Sequence, residues 1–246
     1  MSETNRGGRR EFLRMTAGVA GCALAPGGLF AYGRTGAARV GRMAAESLGS
    51  EDLSYSEDLS YIGQAAAAKD GGINIIGPKV GYSPQVGTLV SMLTWMQQAI
   101  GRSTEGTTQA ELDYLFDAKA NTIGALMLHL AATEIFYQAN TFEGKELSEE
   151  MKRKWGPAGD LGDAGRKTIK GHNRDYYLGI LKETREKSLA EFAKRDDAWL
   201  MAVDKDWPWG PTDNYCKWFH VCEHISHHCG QIVFLWKRLP GKKGGE

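Results

Sequence analysis

Hydrophobic positions in the later two thirds of the chain recur at helical spacing. Val86, Leu89, Val90, Leu93, Met96 and Ile100 form one apolar stripe, preceded by Ser83-Pro84, an N-cap residue with proline at the first helical position, and ended by Gly101. Thr108 and Glu111 have capping-box spacing and start a short helical turn. A longer helix is expected from about Ala118 to Gln138, with Ile123, Leu126, Leu130 and Ile135 on its apolar side. Residues 140 to 171 carry Gly, Lys, Asp and Glu with little periodicity and read as a long crossover holding a short helix near Leu147 to Lys154. A third helix is expected from Asn173 to about Arg195, packed through Leu178, Leu181, Leu189 and Phe192. Asp206-Trp-Pro-Trp-Gly-Pro211 breaks the chain, and a fourth helix spans Asn214 to Leu239 before Pro240-Gly241 stops it. No stretch alternates with period two for long enough to make a sheet. The pattern predicts an all-α fold, a four-helix bundle with its long crossover between helices 2 and 3.

Upstream of the bundle the pattern changes. Gly8 to Arg14 read G-R-R-E-F-L-R, followed by the mildly apolar, Ala/Gly-rich stretch Met15 to Ala25. Paired Arg9 and Arg10 with Phe12 and Leu13 behind them look like a twin-arginine export signal, which places the mature protein in the periplasm or at the cell envelope. Val19-Ala20-Gly21-Cys22 resembles a lipoprotein processing box, making Cys22 a candidate lipid tether. Gly27 to about Gly72 is rich in Gly, Ala and Ser and contains the tandem hexapeptide Ser50–Tyr55 and Ser56–Tyr61, too short a repeat for a solenoid. The expected division is 1–45 signal and processing region, 46–72 flexible linker with the tandem SEDLSY repeat, 73–241 helical bundle and 242–246 tail.

Composition narrows the partners. Thirty basic and thirty acidic residues cancel in the 246-residue chain, so no global field draws it to nucleic acid or to an anionic membrane. Beyond the N-terminal segment no apolar run reaches the roughly 20 residues of a membrane span. Cys222 and Cys229, seven residues apart on one helix, lie about 10.5 Å apart along its axis, beyond the about 7 Å that a disulfide allows. Cys216 precedes the helix and could in principle reach either of them, but the preferred reading of all three is as small buried hydrophobes.

The chemical signal is histidine. Four of the six fall within nine residues of the last helix: His220, His224, His227 and His228. Side chains four apart share a helix face, so both His220/His224 and His224/His228 can converge on one cation. Val221, Ile225, Ile232 and Leu235 turn that face inward, where an imidazole must be hydrogen-bonded or metal-bound to offset its desolvation. A third ligand has to come from another helix, and His129, set among the apolar residues of the second, is the natural candidate.

Trp218 to Gly241, W-F-H-V-C-E-H-I-S-H-H-C-G-Q-I-V-F-L-W-K-R-L-P-G, resembles the last helix of the DinB-like family, whose signature is H-x-x-x-H followed by x-G-Q. Asn121 to Glu134, N-T-I-G-A-L-M-L-H-L-A-A-T-E, resembles that family's second helix. The likeness runs from about Ile73 to Gly241. It implies a metal on His129, His224 and His228, with Gly230 and Gln231 fixing the register, and leaves His220 and His227 outside the ligand set. The chain departs from the family's pattern at Cys229, where a basic residue is usual.

Three neutral imidazoles leave coordination positions open for water and substrate, the arrangement of a catalytic site. Imidazole ligands favour zinc or nickel as the one divalent metal ion. Glu134, Glu223 and Gln231 are the candidates for acid/base work or for orienting the ligands. The expected function is an exported, metal-dependent hydrolase or transferase acting on a small molecule, the alternative a non-catalytic metal-binding or stress-related bundle. Some DinB-like proteins are thiol-dependent transferases or isomerases using cytosolic thiols, which an exported protein would scarcely meet. Homodimerisation is a further trait of the look-alikes. Tyr176, Tyr177, Trp207, Trp209 and Trp218 are candidates for a pocket or for the core.

Overall fold

The computed structural model describes residues 72–242; the arginine pair, Cys22, the SEDLSY repeat and residues 243–246 lie outside them. The described chain is all-α apart from one two-stranded ladder. In order come α1 (Pro84–Ser103), α2 (Gln109–Leu112), α3 (Ile123–Tyr137) with a π turn over Gln138–Phe142, α4 (Glu149–Asp160) and α5 (Gly162–Thr168). They are followed by α6 (Arg174–Phe192), α7 (Asp197–Leu200), β1 (Val203–Asp204), β2 (Thr212–Asp213) and α8 (Asn214–Trp236). Four long helices form the bundle: α8 packs on α1 and α3, and α6 packs on α3 and α1. No helix among the described residues is long and apolar enough to cross a membrane.

Local chemistry sets the helix ends, and in two places it differs from the expectation. Ser83 stands at the N-cap of α1, but its hydroxyl donates to Asp197 Oδ1 at 2.6 Å, and that carboxylate accepts the N–H groups of Gln85 and Val86 at 3.0 and 3.2 Å. A carboxylate is the stronger acceptor for unsatisfied helix N–H groups, so α7 caps α1 from a distance. α3 begins at Ile123 rather than near Ala118. Asp117 accepts the N–H groups of Lys119 and Ala120 in a turn, and Thr122 caps the helix through the N–H of Ala125. Elsewhere the capping box holds, with both arms formed by Thr108 and Glu111; the structure adds Asn173 and Asp213 as the caps of α6 and α8.

α3 is buried almost all round, because α6, α8 and α4 cover it from three sides. Its neighbours press close. A Cβ on Gly124 would meet the ring tip of Tyr177 at 2.8 Å, so α6 reaches α3 only where no side chain stands. The crossover is more ordered than its weak periodicity suggested: α4 packs on α3 and α5 on α4. The ladder pairs Val203 with Asp213 and Asp204 with Thr212 and brings Trp207 against Tyr137. Trp207, Trp218 and Tyr177 lie in the core, whereas Tyr176 and Trp209 are exposed.

Candidate metal centre

His129 on α3 and His224 and His228 on α8 come together in the interior, all three buried. The Nε2 atoms of His129 and His224 are 3.2 Å apart, those of His228 and His224 3.1 Å. The far nitrogens are tied down. His129 Nδ1–H donates to the carbonyl of Ala158 at 2.8 Å, and His228 Nδ1–H donates to Gln231 Oε1 at 2.8 Å. The Ala158 carbonyl is free to accept because it lies in the last turn of α4, where carbonyls lack intrahelical partners. With Nδ1 protonated on both rings, both Nε2 atoms present lone pairs towards His224.

Burial keeps these rings neutral. It lowers His129 to about 4 against the opposing pull of the Ala158 carbonyl, and it lowers His228 to about 3, with His129 adding to the effect. His224, between them, is pushed lower still, by burial first and then by His129 and His228.

Two of the three donor pairs pass a geometric test for a cation, and all three donor atoms lie within 4.8 Å of one another. At a metal–nitrogen distance of about 2.0–2.1 Å, tetrahedral ligands sit about 3.3–3.4 Å apart and ligands at right angles about 2.9 Å apart. The observed 3.1 and 3.2 Å fall between these limits. A single proton on His224 serves one neighbour well; a divalent cation serves all three rings. The buried position and the bonds behind His129 and His228 are the support that ligating histidines ordinarily have.

The other expected site residues have different surroundings. Gln231 bonds His228, and its Nε2 also donates to Nε2 of exposed His227 at 3.0 Å. Glu223 is exposed, 3.9 Å from His220. His220 accepts the Tyr137 hydroxyl on Nδ1 at 2.9 Å and is lowered to about 4 by burial, its ring 5.3 Å from that of His224. Glu134 is not bonded to the histidines. Arg185 grips both of its carboxylate oxygens at 2.8 Å, Ser188 donates to it at 2.6 Å, and Arg185 also donates to the Leu93 carbonyl. That network joins α1, α3 and α6 and occupies both carboxylate oxygens. Cys216 is exposed and Cys222 and Cys229 are buried, all three free thiols. Burial pushes Cys222 up to about 12 and raises Cys229, so both behave as packing groups.

Sequence reasoning missed Ala158 and Arg185. The first acts through its backbone, which no side-chain pattern reports. The second reads in sequence as an ordinary charged position on a solvated helix.

The helical architecture defines a protein of DinB-like fold, with a three-histidine group that could hold a metal ion. The model of the mycothiol-S-transferase family matches residues 88–241, well over half of the chain, and the chain belongs to that family. A solved structure described as the conserved protein of locus from Enterococcus faecalis aligns with 17% identity and a TM-score of 0.49, over 63% of this chain and 96% of that one. No curated protein matches.

Proposed function

We propose that the protein is a metal-dependent S-transferase that holds one divalent ion on His129, His224 and His228 and acts on mycothiol or a similar low-molecular-weight thiol. The observation that carries this reading is the pair of bonds behind the site, from His129 to Ala158 and from His228 to Gln231, which turns lone pairs inward. A bound zinc or nickel ion would supply the positive charge that favours thiolate over thiol and would leave positions free for substrate. The chain's own residues do the rest. Burial keeps the three rings unprotonated, and the two back-side bonds fix ring orientation in advance. His220, held by Tyr137 beside His224, is a further group able to exchange a proton with an incoming thiol. In the transfer the S–H proton is lost, a sulfur–carbon bond forms, and the leaving group departs from carbon with its electron pair.

Protein purified without chelator is expected to hold close to one equivalent of metal, and less than about a tenth would remove the metal reading. The wild type should conjugate mycothiol to a chlorodinitrobenzene electrophile, and His224→Ala should not. Equal rates for the two would remove the transferase reading.

The motif at Arg9, Arg10, Phe12 and Leu13 supports a second reading of the same centre, because a protein exported folded through the twin-arginine route would leave the cytosolic thiols behind. In that setting the site serves hydrolysis, or holds metal without turnover. Fractionation of cells expressing the wild type, Arg9→Lys/Arg10→Lys and Cys22→Ser tests it. Cytosolic wild type would remove export, and an unchanged membrane fraction for Cys22→Ser would remove the lipid tether.

A further inference from the structure

A solvent-open cleft of ≈ 540 Å³ lies between the start of α3 and the last turns of α8. Its walls include Lys119, Asn121, Leu126, Gly230, Phe234 and Leu235. That volume is in the range of about 300–1,000 Å³ typical of small-molecule sites. Gln231 and His227 also line it, so the cleft borders the histidine cluster through the side chain that bonds His228.

Three features of the cleft lack an internal explanation. Gly230 sits inside the 23-residue helix α8, where glycine is less favourable than alanine by about 1 kcal/mol. Its φ is not positive and nothing lies within 4 Å of where a Cβ would stand, so neither backbone conformation nor a close neighbour requires glycine there. Asn121 has its Oδ1 buried without a hydrogen-bond partner, a deficit that a ligand donor would relieve. One wall is cationic: Lys119 is exposed and, among the described residues, has no carboxylate partner within ion-pair distance. The nearby acid in sequence, Asp117, is turned onto the backbone N–H groups of Lys119 and Ala120.

We propose that this cleft binds a small carboxylate with an apolar ring-sized body and a hydrogen-bond donor. The carboxylate meets Lys119, the apolar body lies against Leu126, Phe234 and Leu235 over the space left by Gly230, and the donor reaches Asn121 Oδ1. None of the three candidate ligands lines the cleft, so binding there does not require that the protein be a transferase.

The probe is 4-hydroxybenzoate, which carries all three features, titrated into the metal-loaded full-length protein by amide NMR. Saturable shifts centred on Leu126, Gly230 and Phe234 are expected. Gly230→Leu, whose side chain enters open space, should weaken binding at least about tenfold by filling the cleft. Lys119→Glu, at an exposed position where the fold is insensitive, should weaken it by about tenfold at low salt. Absence of saturable shifts, shifts scattered over the surface, or unchanged affinity in either variant would overturn the proposal.

Discussion

Gln231 holds its carbonyl oxygen 2.8 Å from His228 Nδ1 and its amide nitrogen 3.0 Å from His227 Nε2. One side chain thus fixes the tautomer of a buried ring while its other end is anchored at the surface. Gln231→Leu should leave the helix intact, since leucine is a good helix former, but it frees the His228 ring. Metal affinity measured by competition with a chromophoric chelator is expected to fall about 10- to 100-fold. Gln231→Glu restores an acceptor for Nδ1–H and should recover most of that loss. Unchanged affinity in Gln231→Leu would show that the bond has no part in ligation.

The neutral state of the cluster has a pH signature. His129 is lowered to about 4 and His228 to about 3, against about 6.5 in an unfolded chain. Between those values the unfolded chain binds more protons than the folded one, so stability rises with pH across this window and is lost as pH falls. With chelator present, unfolding free energy from urea titrations should drop by on the order of 3 kcal/mol for each of the two rings between pH 7 and pH 4 and stay level above about pH 7.5. His129→Gln should flatten the slope. A wild-type profile already flat from pH 5 to 7.5 would contradict the buried neutral assignment.

Much of this was legible in the sequence because it was written in side chains with a period. The stripe from Val86 to Ile100 marks α1, the capping box at Thr108 marks α2, and the expected starts at Asn173 and Asn214 fall within a residue of those of α6 and α8. The four-residue spacing of His224 and His228 put two rings on one face. What stayed hidden depends on tertiary partners. Asp197 takes over the cap of α1 from more than a hundred residues away, and the Ala158 carbonyl is exposed only because α4 ends where it does. Glu134 reads as a site residue from its position five after His129, yet Arg185 holds it elsewhere, and no local pattern announces such a pairing.

That pairing makes its own prediction. Glu134 and Arg185 are both buried, 2% and 3% exposed, so removing one partner leaves an uncompensated charge in the core. Arg185→Met should cost about 3–5 kcal/mol, whereas Glu134→Leu with Arg185→Met should recover most of it. The double variant should still bind metal, because neither residue touches the histidines. If it folded with wild-type stability but lost metal binding, Glu134 would have to act on the centre after all.

The close approach of α3 and α6 sets the last expectation. A methyl group on Gly124 would stand 2.8 Å from both Cζ and the hydroxyl oxygen of Tyr177, below any normal contact. Tyr177 is fully buried, and its hydroxyl has no hydrogen-bond partner. Gly124→Ala would gain about 1 kcal/mol of helix propensity in an open site, yet overpacking here should leave it destabilised by about 1–3 kcal/mol. Tyr177→Leu shortens the opposing side chain, so Gly124→Ala/Tyr177→Leu should be more stable than the sum of the single changes allows. Thermal unfolding of the four proteins in one buffer gives the coupling energy. Strict additivity would mean that the two helices are free to move apart, and that α3 does not hold His129 as firmly as the packing implies.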